Sequence, residues 1–180
     1  MQSIAIRVKQ WQSASWQHVA WLLFCVALFD GGKLLGKLAK GIPGHSVAFW
    51  LPALFIARGM VNRPGAATMT ALLGSALWCL PKGDGFFDIA SFVAAGLTLD
   101  ALMEKPERLR SLLFALAVGA LAGLVKFGFH LIPALILAET MHSLRLGAYT
   151  VGALHFAFGA LGGGLGWAAL RKLRRDDPAG

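Results

Sequence analysis

The chain has 180 residues, 57% of them apolar and only 14% charged, with a net charge of +8 and a mean hydropathy of +0.63. Soluble domains carry roughly 25% charged residues, so this composition excludes an ordinary water-soluble globule and points to an integral membrane protein. The excess of Lys and Arg then needs no nucleic acid, because basic residues collect in cytoplasmic connections of membrane proteins.

Residues 1–17 contain Arg7, Lys9, four Gln and two Trp with no continuous apolar core. They read as a polar or interfacial segment, not as a cleaved signal peptide. The first apolar run covers 18–35, and Asp30, Gly31, Gly32 and Lys33 interrupt its end. A connection at 36–44 with Lys37, Lys40 and Pro43 leads to the second run, 45–61, which carries Trp50 and Pro52. Asn62-Arg63-Pro64-Gly65 is a tight turn by composition. The third run is 66–80, the fourth 86–103, the fifth 111–138 with Lys126, His130 and Pro133, and the sixth 148–170. Gly159, Gly162, Gly163, Gly164 and Gly166 on the sixth run allow close helix contact.

A helical crossing takes about 20 residues, so the pattern predicts an all-α membrane protein. It has six transmembrane helices over 18–170 and a basic tail at 171–180. Six crossings put both termini on one side. The tails with the second and fourth connections hold eleven Lys and Arg, against five on the opposite side and Lys126 within a helix. That asymmetry predicts cytoplasmic termini and puts the hairpin at 75–88 on the outer face.

This hairpin carries most of the groups that suggest chemistry. Cys79 closes the third run beside Trp78, with Pro81, Lys82, Asp84, Phe86 and Phe87 following. Free cysteine is among the most buried residue types, and that reading suffices for Cys25, mid-helix among apolar neighbours. Cys79 instead stands at a Pro/Gly turn near Lys82. An ammonium stabilises thiolate, the form that acts as nucleophile and soft metal ligand. The two cysteines are too far apart in sequence for a CxxC site. One cysteine builds no closed metal site, but it suffices as an axial ligand to a metal that a cofactor already chelates.

Lys126 and His130 are four residues apart on one helix face. Ionisable groups inside a membrane helix are costly and point to function, or to a structural pair with Asp30, Asp88 or Glu139. His45 stands at the entry to the second run near Trp50, and His142 and Tyr149 populate the outer connection before the sixth. His155 reads as a packing histidine. Trp50, Trp78, Phe86 and Phe87 fit an interfacial aromatic belt or the wall of a pocket around Cys79. No P-loop, HExxH or Ser/His/Asp pattern is present.

Residues 49–77, with Arg63-Pro64-Gly65-Ala66-Ala67 at the turn, resemble the membrane-embedded substrate-binding (S) components of energy-coupling factor transporters. Six helices, about this length and cytoplasmic termini are similar to that family. A cysteine at the outer end of the third helix resembles the BtuM-type cobalamin S components, and Cys79 stands at the matching position. The resemblance implies a bacterial inner-membrane uptake protein with cobalamin as its substrate. It also implies Cys79 as axial ligand to the corrinoid cobalt, with slow decyanation of cyanocobalamin, and Trp78, Phe86 and Phe87 as flat apolar walls. The partner implied is a coupling module of one transmembrane component and two ATPases. The family's Ala-x-x-x-Ala of the first helix has its nearest match in Ala27-x-x-x-Gly31, a departure that leaves solitary action open. The residues alone leave two rivals: an S component for a thiamine-type vitamin, and a small membrane interaction protein without a vitamin ligand.

Overall fold

A computed structural model describes residues 2–38, 42–82, 86–104, 111–136 and 147–176. Among them are six α-helices: α1 (Gln2–Leu38), α2 (Val47–Val61), α3 (Ala66–Cys79), α4 (Phe86–Leu102), α5 (Leu112–Ile136) and α6 (Ala148–Asp176). A 3-10 turn, Leu80–Lys82, follows α3. The expected all-helical class holds. The first helix is longer than its apolar run: it begins at Gln2 and continues through Gly31-Gly32 to Leu38. α6 likewise carries the basic stretch to Asp176 as helix. Asp84 and His142 lie outside the described residues.

Among the described residues, three helices contain stretches long and apolar enough to cross a membrane, Trp16–Lys37, Leu112–Ile132 and Ala148–Arg175. At 1.5 Å per residue, 22 residues reach about 33 Å, against about 30 Å of hydrocarbon. Their outward faces are apolar: Leu23 and Phe24 on α1, Leu113 and Leu121 on α5, and Phe156, Leu161 and Leu165 on α6 are exposed. So broad an apolar surface is unfavourable in water and suits lipid.

α2 is the opposite case. It has 15 residues, short of a full crossing, and twelve of them are buried. It packs on α1, α3, α4 and α6, while α5 packs between α4 and α6. Glycine sets the closest crossing, α5 on α6. A Cβ on Gly119 would lie 2.8 Å from the Gly163 Cα, and one on Gly159 would lie 3.1 Å from the Ala120 Cα. Such backbone approach is the use of small residues between membrane helices.

The turn between α2 and α3 is held from a distance. Asn62 ends α2 in the left-handed conformation and Gly65, at φ 87°, begins α3. Gly65 has no side chain to cap the helix, and Asp100 of α4 takes that role. Its carboxylate accepts from the Ala67 N–H at 3.3 Å, the Thr68 N–H at 2.9 Å and the Thr68 hydroxyl at 2.6 Å. The same carboxylate faces the buried Arg58 guanidinium, Nε to Oδ1, at 3.4 Å. Arg174 of α6 donates to the Gly59 carbonyl at 2.7 Å. The C-terminal ends of α2, α4 and α6 thus meet the start of α3 at one end of the bundle.

Candidate functional site

The other end gathers the last turns of α1 and α3, the start of α4, the second half of α5 and the first turns of α6. Phe92 of α4 is its centre. The ring stands edge-on to Phe29 at 5.4 Å and to Trp50 at 5.1 Å between centroids, and Phe29 and Trp50 are 5.5 Å apart. These rings fix a rigid aromatic floor in the core.

Two ammonium groups lie over Phe92: Lys33 Nζ is 4.0 Å and Lys126 Nζ 4.7 Å from its centroid. Lys33 and Lys37, one helical turn apart on α1, also stand over Trp78 at 4.9 Å and 4.8 Å. Ring faces attract cations, by about 0.5–2 kcal/mol per contact depending on desolvation. Lys126 is only 5% exposed and lies within electrostatic reach of Lys33, Asp88 and Cys79. Asp88 Oδ1 is 3.5 Å from His130 Nδ1. Of the acids considered as structural partners, Asp88 is the one that lies against His130.

Cys79 is 1% exposed and belongs to the main core cluster, with Trp78 packed half-buried against it. Cys25 is buried in a separate cluster with Ile56 and Ala57. Among the described residues no group of three or more His, Cys, Asp or Glu is placed to hold a metal ion.

Beside this cluster is a cavity of about 200 Å³, walled by Pro43 and Gly44, by Lys126, Phe127 and His130 of α5, and by Val151 and His155 of α6. Gly44 has φ +80°, and a Cβ there would stand 2.9 Å from His155 Nδ1; glycine lets the connection close against that ring. The His155 Nδ1–H donates to the Val151 carbonyl at 2.9 Å, and its ring lies 5.0 Å from Phe127.

The residues expected at a site therefore divide. Trp78, Cys79, Lys126 and His130 come together, and Trp50 joins them through Phe92. His45 instead bridges backbone carbonyls of Gly36 and Ile42 with its two ring nitrogens, so its contacts tie the end of α1 to the following connection. Lys82 closes the 3-10 turn. Phe86 and Phe87 pack on each other at 6.0 Å, with Phe86 78% exposed. Tyr149 is 96% exposed.

Lys33, Phe92 and the cavity role of His155 were not anticipated. The i, i+4 spacings Lys33/Lys37, Asp88/Phe92 and Lys126/His130 carried that signal, since each pair shares a helix face.

No protein-family model, curated protein or solved structure matches the chain.

Proposed function

We propose that this protein is a bacterial inner-membrane uptake component for a corrinoid, with Cys79 as axial ligand to the cobalt. In this reading all six helices form the membrane bundle, with the short α2 traversing it inside the protein where its neighbours cover it, both termini are cytoplasmic, and the Cys79 end faces outward. The observation that carries it is the setting of Cys79: a buried thiol at the end of α3, against Trp78 and within electrostatic reach of Lys126. Cobalt is suited by a soft sulfur ligand, and a flat macrocycle by aromatic surface.

Cys79 is shielded in this arrangement, so corrinoid entry requires the end of α3 and the start of α4 to part. The Cys79 S–H bond would break as the sulfur binds cobalt, the bond from cobalt to cyanide would break with its electron pair going to cyanide, and the proton and cyanide would leave together as HCN. Energy for release comes from a coupling module, or the protein acts alone.

The experiment is purification from cells supplied with cobalamin. A red protein that retains about one corrinoid per chain is expected. A colourless protein that binds thiamine saturably would replace cobalamin with the pyrimidine vitamin, and one that binds neither would leave the interaction-protein reading.

A further inference from the structure

Resting on the corrinoid reading above, we propose that the cavity between α5, α6 and the α1–α2 connection is a subsite for a primary carboxamide on the ligand. Its size comes first. Pockets that enclose a whole small molecule run from about 300 to 1,000 Å³. This cavity, at about 200 Å³, admits a substituent and not a macrocycle.

Its polar lining then selects the substituent. A carbonyl oxygen only accepts hydrogen bonds, so the 2.9 Å contact between His155 Nδ1 and the Val151 carbonyl fixes the proton on Nδ1. The neutral ring therefore leaves Nε2 as a lone-pair acceptor. His130 Nδ1 faces the Asp88 carboxylate at 3.5 Å, longer than a hydrogen bond, and the negative charge there favours the proton on Nδ1, which leaves Nε2 as the acceptor. In the same lining Lys126 supplies an ammonium, a donor only. One donor group and two imidazole acceptors match a C(=O)NH₂ group, whose oxygen takes a proton from Lys126 while its N–H bonds go to the ring nitrogens.

An oxyanion would satisfy Lys126 but would face the imidazole lone pairs, and Asp88 already places a carboxylate near that ammonium. Corrinoids carry primary carboxamides around the ring, so one of them entering the cavity would orient the macrocycle relative to Cys79.

The test uses the purified full-length protein with cobalamin and with its monocarboxylic acids, each having one side-chain amide hydrolysed. One of these acids is expected to bind about tenfold more weakly than cobalamin, the worth of one or two net hydrogen bonds. His155→Phe should remove that discrimination by weakening cobalamin to match the acid. Lys126→Met should weaken cobalamin and the acid alike, because the ammonium serves an amide oxygen and a carboxylate both, and His155→Phe decides the matter should the lysine variant not fold. Equal binding of all the acids and cobalamin would overturn the subsite while leaving the corrinoid reading intact. An acid that binds more tightly than cobalamin would replace the carboxamide with an oxyanion. Absence of binding by cobalamin itself would overturn both readings.

Discussion

The two ends of the bundle handle charge by different chemistry. At one end Arg58 and Asp100 lie face to face, and the carboxylate is used three times more by the start of α3. At the other, Lys33, Lys37 and Lys126 stand over the rings of Phe92 and Trp78, with the Asp88 carboxylate nearby against His130. The first is a directed network that fixes the α2–α3 turn. The second is soft, because cation–ring attraction varies slowly with position. A tight network suits an end that keeps its shape, and a soft one suits the end that, in the proposed function, opens for a ligand.

Stability measurements on variants break or sharpen this contrast. The largest effect is expected for Arg58→Ala, which leaves Asp100 buried without its cation. Breaking a buried pair costs about 3–5 kcal/mol, and thermal unfolding in detergent would register it. Phe92→Leu removes two ring pairs and two cation contacts at the soft end, for about 2 kcal/mol; a loss equal to that of Arg58→Ala would erase the distinction. Gly44→Ala meets both a positive φ and the His155 ring, and about 1–2 kcal/mol of backbone strain follows. Tyr149→Ala, at an exposed position, should change stability by less than about 0.5 kcal/mol.

The soft end was partly legible in the sequence, and the rigid end was not. Apolar runs gave the helices because burial and lipid contact need long apolar segments, and Cys79 was conspicuous at a Pro/Gly turn. Lys126 with His130 declared itself as charge within an apolar run. Arg58–Asp100, by contrast, joins residues on different helices, and no local periodicity couples them. Lys33 looked like a break in a helix, since its Gly neighbours are poor helix formers; tertiary packing carried α1 past them, with Gly32 buried against the backbone of Phe49. His45 was chosen for its chemistry, yet its ring nitrogens are occupied by carbonyls, a distribution of partners that sequence spacing does not encode.

The central claim is that Cys79 contacts the cobalt. The most direct measurement is the visible absorption spectrum of cobalamin bound to the purified protein and to Cys79→Ala. Wild type should give a corrin spectrum shifted from that of free cobalamin, and the variant should bind without the shift or lose binding. An identical shifted spectrum in Cys79→Ala would contradict cobalt ligation by this thiol.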